Sequence, residues 1–200
     1  MQAALDAFER NILRVRALHA LHDAFSKQVT SAIDLSDLLR AEIVLGVSAL
    51  DHYIHELTRL GMLECWTGSR KSTDAYERFP LPMSLASTLS NPSTAPATIE
   101  DAIRSRHSFL SFQHPDRIAD AVRLFSEVKL WEEVGTQLGT TGKEVKTALL
   151  LVIDMRNKIA HEADIDPSYP GQRWPIDSAL VESTLDKLEA IARAIFKVII

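Results

Sequence analysis

The amino-acid sequence predicts an all-α fold: an antiparallel bundle of about five main helices, with short helices in a Pro/Ser-rich insertion. Three observations predict it. Apolar residues recur at three- and four-residue steps over long segments. No stretch shows sustained strand alternation. Prolines and glycines gather into a few breaks, chiefly 66–97, 139–142 and 164–176. Residues 1–200 fit a single domain in which 66–97 is a loop-rich insertion.

Leu5, Phe8, Ile12, Val15, Leu18 and Leu21 mark a first helix over 3–25. A second spans about 35–60, with Asp34 or Ser36 able to cap its start. Its first half (Leu38, Leu39, Ile43, Val44, Leu45, Val47, Leu50) is apolar nearly all round, as buried helices are. Gly68, Pro80, Pro82, Pro92 and Pro96 make 66–97 a long connection with one or two helical turns. Helices then run from about Ile99 to Phe112, from Pro115 to Phe125 and from Val128 to Leu138, with Trp131 inward. Gly139 and Gly142 bracket a turn, and Glu144 stands where a phosphate loop needs Ser or Thr. A strongly apolar helix follows from Lys143 to about His161. After the 164–176 loop, the last helix starts near Asp177. It ends in Val198, Ile199 and Ile200, which must pack on something.

Composition narrows the function classes. The net charge of −5 argues against a broad basic surface for long duplexes, yet leaves room for a local basic site. One cysteine, Cys65, excludes an internal disulfide framework and suits a reducing compartment. The first residues lack the apolar core of a signal peptide, and the run Ala148 to Ile153 is far too short to span a bilayer. A cytoplasmic location without membrane contact is the expectation.

Two polar clusters interrupt the apolar pattern. The strongly apolar helix ends in Arg156-Asn157-Lys158-Ile159-Ala160-His161-Glu162, an R-x4-H pattern between a buried helix and a Pro/Gly-rich loop. The bare pattern is common: this composition yields roughly one chance occurrence per two chains, and Arg14 with His19 matches it too. Context separates them, because Arg14–His19 lies on an amphipathic, surface-facing helix with no polar partner nearby. On a straight helix Arg156 and His161 are about 140° apart, with a rise of about 7.5 Å. Either the helix ends near Ala160 or the two side chains reach a site from different directions. A second copy across a twofold axis would let two Arg and two His line one cleft. The other cluster is Asp51-His52-Tyr53-Ile54-His55-Glu56, whose carboxylates are candidate partners for Arg156. H-x2-H-E there reverses the zinc-protease order, and no third metal ligand is evident.

With VSALDHYIHE (Val47 to Glu56), RNKIAHEAD (Arg156 to Asp164) and the GQRWP turn (Gly171 to Pro175), the chain resembles the HEPN ribonuclease superfamily. In particular it is similar to the RiboL-PSP-HEPN branch over about residues 36–195. The resemblance implies a helical bundle that dimerises with its R-x4-H pairs at the interface. It implies RNA cleavage without a metal, and no cofactor is expected. It makes Arg156 and His161 the catalytic candidates. Asn157 would orient the site, and Asp51 or Glu56 would support it. From the residues themselves, His55 is a further supporting candidate, and Lys158 is a candidate to add local positive charge for RNA. Some members carry a Tyr two residues after the His, where a partner nucleotidyltransferase modifies them; here that position is Ala163. The family is common in toxin and defence systems, which implies an RNA substrate and a cognate antitoxin or regulatory partner.

The chemistry fits these residue types. RNA carries its own nucleophile, the 2′-OH. Attack on phosphorus leaves a 2′,3′-cyclic phosphate and a 5′-OH, provided the 2′ proton is removed and the leaving oxygen is protonated. Histidine ordinarily titrates near neutrality and suits either role. Arginine grips phosphate in bidentate fashion and stabilises developing charge. Two other functions stay open: a non-catalytic HEPN module that binds RNA, nucleotide or a partner protein, and a structural partner subunit.

Overall fold

A computed structural model of the chain describes residues 1–30, 33–169 and 171–200. Among these residues there are nine α-helices and no strand, only one isolated β-bridge. Pro170, one of the loop-marking prolines, lies outside the described residues. The all-α bundle is therefore the fold.

The longest helix, α2 (Ser36–Trp66), is the axis of the bundle. It packs against α1 (Gln2–Ser26), α5 (Ala95–His107), α6 (Pro115–Arg123), α8 (Gly142–His161) and α9 (Ser178–Ile199). Phe8 and Ile12 from α1 meet Leu50, Tyr53, Ile54 and Leu57 from α2 and Leu185, Leu188 and Ile195 from α9, all essentially free of solvent. Each such side chain contributes about 1.5–3 kcal/mol of burial. Tyr53 tilts against Phe8 at 5.4 Å and donates its hydroxyl proton to the Ala192 carbonyl at 3.2 Å.

α2 runs six residues beyond the expected end near 60. Gly61 does not break it, because a Cβ there would overlap the Phe125 ring that packs on this turn. Buried Met62 and Cys65 continue the apolar stripe. The 66–97 segment is also more regular than a loop. It holds α3 (Asp74–Glu77), a 3-10 turn at Met83–Leu85 and α4 (Ala86–Leu89). α5 begins inside it, at Ala95, because Pro96 occupies the first turn, where a missing N–H costs nothing. Phe79, Leu81 and Leu89 close over Met62, Ile99 and Ile103 as a satellite core. α7 (Leu130–Gln137) then approaches α8 so closely that a Cβ on Gly135 would strike the backbone of Thr141 and Gly142. At the other end Ile199 is buried while Ile200 is 73% exposed.

Two buried charges fix the end of α8 to the start of α2. Arg40 and Asp164 are 6% and 4% exposed, and the Arg40 Nε–Asp164 Oδ2 distance is 2.6 Å. Arg40 also donates to Ser36 Oγ at 2.7 Å and to the Trp174 carbonyl at 2.8 Å. Ala163 and Asp164 adopt left-handed backbone angles (φ 52° and 58°), which turn the chain off the helix and let the Asp164 N–H donate to the Lys158 carbonyl at 2.9 Å. The loop from Asp164 to Asp177 is thus pinned at its base. Arg173 braces it from outside through Asp34 and Asp37.

Removing one partner of a buried ion pair strands the other, so Arg40→Ala is expected to cost about 3–5 kcal/mol. Arg173→Ala, in a largely exposed pair, should cost no more than about 1 kcal/mol. Urea unfolding of the two variants measures the contrast; equal losses would contradict this role for Arg40.

Candidate functional site

α8 starts in a capping box, in which Thr141 and Glu144 satisfy each other's backbone N–H groups. Val145, Leu149, Val152 and Ile153 form its buried stripe. Arg156 lies three and four residues beyond Ile153 and Val152, so its side chain leaves from the inner face and is half-buried. Asn157 Oδ1 accepts from Arg156 Nη1 at 3.0 Å. Arg156 Nε is buried and has no partner, and no carboxylate lies within ion-pair reach among the described residues. Every other arginine that is not exposed (Arg16, Arg40, Arg59, Arg70 and Arg173) faces a carboxylate. Arg156 therefore keeps an uncompensated charge in a place where charges usually find partners.

His161 is the last residue of α8, exposed and without a hydrogen bond among the described residues. The helix is unbroken from Arg156 to His161. Five residues on such a helix separate the side chains by about 140°. One chain thus does not bring them together: Arg156 turns inward and His161 outward. Lys158 is already engaged, with Nζ 2.8 Å from Asp154 and 4.9 Å over the Trp174 ring. The hydrogen bond to Asp154 raises its pKa.

Asp51, His55 and Glu56 do not serve Arg156. Asp51 Oδ1 accepts from the Phe112 N–H at 2.5 Å, and its Oδ2 from Gln113 at 3.4 Å. The Phe112 ring sits 4.5 Å from the His55 ring, and His55 Nε2 lies 3.2 Å from the Leu110 carbonyl. Glu56 is held by Arg59 at 2.6 Å and Arg104 at 3.0 Å. The expected pairing with Arg156 is therefore corrected: the polar stretch of α2 docks α5 and the loop after it. Apart from Arg59, one turn along α2, these partners lie about fifty to sixty residues downstream, in α5 and the loop after it, so the sequence alone concealed them.

Sequence reasoning also missed a second polar group. His19, expected to have no partner, places Nδ1 2.9 Å from Oε2 of Glu42, which is fully buried. Burial raises the Glu42 carboxyl pKa, against the opposing pull of His19. The signal was present: Arg40 and Glu42 are charged residues inside a stretch that otherwise reads as apolar all round.

No family model, curated protein or solved structure matches the chain.

The site must therefore be judged on its own geometry. Among the described residues no group of three or more His, Cys, Asp or Glu could hold a metal ion. No helix is long and apolar enough to cross a membrane. Cys65 is buried, and burial pushes its thiol pKa up, the opposite of an activated nucleophile.

His107 makes the packing beside Asp51 and His55 sensitive to acid. It is buried edge-on to Phe79 and Phe112, and burial, with His55 and Arg106 nearby, pushes its pKa down to about 4. The ordinary value is 6.5, so as pH falls the unfolded chain takes up this proton before the folded one. Stability is full above that ordinary value and declines as pH drops toward the folded one. Thermal melts at about pH 7 and about pH 5 should show a larger loss for wild type than for His107→Phe, which cannot titrate. Equal losses would contradict a role for His107 in acid sensitivity.

Proposed function

We propose that the chain is a metal-independent endoribonuclease of HEPN type, acting as a homodimer with a site shared between two copies. The observation that carries this reading is Arg156: a half-buried guanidinium braced by Asn157 and neutralised by no carboxylate among the described residues, five residues before a free His161. A phosphodiester would supply the missing anion. The outward direction of His161 requires that the histidine acting beside a given Arg156 come from elsewhere, and a twofold partner meets that need. Leu150 and Leu151, 38% and 65% exposed on α8, offer apolar surface for such a contact.

In this mechanism Arg156 binds the non-bridging phosphate oxygens and favours the phosphorane. His161 of the other copy removes the 2′-OH proton, and the imidazolium so formed protonates the departing 5′ oxygen. The products are a 2′,3′-cyclic phosphate and a 5′-OH, and DNA is not cut. Asn157 is a positioning residue, because it acts through Arg156. A role in toxin or defence systems, with a cognate inhibitor, belongs to the same reading. A second reading, a HEPN module that binds RNA, nucleotide or a partner protein without cutting, is favoured by the divergence of Arg156 and His161 within one chain.

Incubation of mixed cellular RNA with purified protein in excess chelator tests the choice. The nuclease reading expects cutting by wild type, with His161→Ala slower by about 10²–10⁴-fold and Arg156→Ala by about 10²–10³-fold. Asn157→Ala should lose less than either. A folded wild type that cuts no RNA would favour the binding module.

A further inference from the structure

α1 and α2 enclose a cleft of about 560 Å³. From α1 it is lined by Asn11, Arg14 and Leu18, and from α2 by Leu45, Ser48 and His52. Each set recurs at three- and four-residue steps, so the cleft follows two facing helix ridges. Arg14 and His52 are exposed, and neither has an ion-pair or hydrogen-bond partner among the described residues. Among the described residues no acidic residue lines it. In a chain of net charge −5 that is selective, since four further surface cavities each include at least one carboxylate. The neighbouring acids are engaged: Glu9 by Arg193, Glu56 by Arg59 and Arg104, and Asp51 by the Phe112 N–H.

Leu45 also lines a second cavity, of about 580 Å³, which Ile159 and Ala163 at the end of α8 line as well. The carboxylates of that cavity, Asp37 and Asp164, are bound by Arg173 and Arg40. From Ala41 to His52 the outer ridge of α2 covers roughly 16 Å.

We infer that the Arg14–His52 cleft is a phosphate-binding subsite for single-stranded RNA, guiding the strand along α2 toward the R-x4-H end of α8. The inference rests on the nuclease reading above. The ligand class follows from the lining: one permanent cation, a histidine, two neutral hydrogen-bonding side chains and apolar ridges, with no aromatic platform. Such a surface grips backbone phosphate and tolerates sequence, whereas base-stacking sites use aromatic rings.

The test is binding of a fluorescent single-stranded oligoribonucleotide carrying 2′-O-methyl groups throughout, which cannot be cleaved by 2′-OH attack. Wild type, Arg14→Gln, His52→Gln and Arg117→Gln are titrated at several salt concentrations, and their cleavage of ordinary RNA is assayed in parallel. Arg117 is an exposed, unpaired arginine on α6, so its variant controls for net charge. Arg14→Gln should bind about fivefold more weakly, with a salt slope shallower by about 0.7, the share of one phosphate contact on a single strand. His52→Gln should weaken binding by about twofold or more, through the lost contact to the strand. Arg117→Gln should match wild type. If Arg14→Gln binds and cleaves like Arg117→Gln while wild type is active, the cleft is not a subsite and the nuclease reading stands. If folded wild type neither binds the oligonucleotide nor cuts RNA, both fall.

Discussion

The ion pair of Arg40 with Asp164 decides where α8 stops, and much else follows from that stop. Asp164 reaches Arg40 only because Ala163 and Asp164 turn left-handed directly after the helix. Arg40 in turn sits in α2 with Ser36 and the Trp174 carbonyl as further partners. One guanidinium thus ties together the N-terminal turn of the bundle's axis, the end of the motif helix and the base of the following loop. Buried pairs of this kind stabilise little relative to apolar packing, but they are unforgiving of misplacement. The result is a fixed position for the last turn of α8, the turn that presents His161.

The same chain shows what an unsatisfied arginine looks like. Arg16, Arg59 and Arg70 resemble Arg156 in partial burial, yet each meets a carboxylate. Among the described residues Arg156 meets only the amide oxygen of Asn157, a neutral acceptor that orients the guanidinium without cancelling its charge. A protein carrying 27 acidic residues could easily supply a partner. Its lack is the physical basis for expecting an external anion. The cleft between α1 and α2, where Arg14 meets no carboxylate among the described residues, has the same character.

The fold was legible because helical periodicity is strong in α1, α2, α8 and α9, and their apolar stripes are the stripes that pack. Boundaries failed in two places. The expected end of α2 near 60 falls short because Met62 and Cys65 continue the buried stripe, and Pro96 reads as loop but sits in a helix's first turn. The site was legible only in part. Arg156, Asn157 and His161 stand out by pattern, but only Arg156 and Asn157 touch, while His161 turns outward at the end of the helix. Asp51, His55 and Glu56 stand out equally, yet apart from Arg59 on the same helix their partners come from α5 and its following loop, and pattern carries no information about such distant pairings. Arg40 and Glu42 were overlooked because an apolar run hides its occasional charge, and Asp164 because its partner Arg40 lies 124 residues away.

The proposed nuclease requires Arg156 and His161 to act together across two copies of the chain. Mixing two inactive variants, Arg156→Ala and His161→Ala, under conditions that exchange subunits tests it most directly. A site shared between copies predicts that RNA cleavage returns, to about a quarter of the wild-type level when heterodimers form at random. Continued inactivity of the mixture at every ratio, with wild type active and subunits shown to exchange, would contradict a shared site.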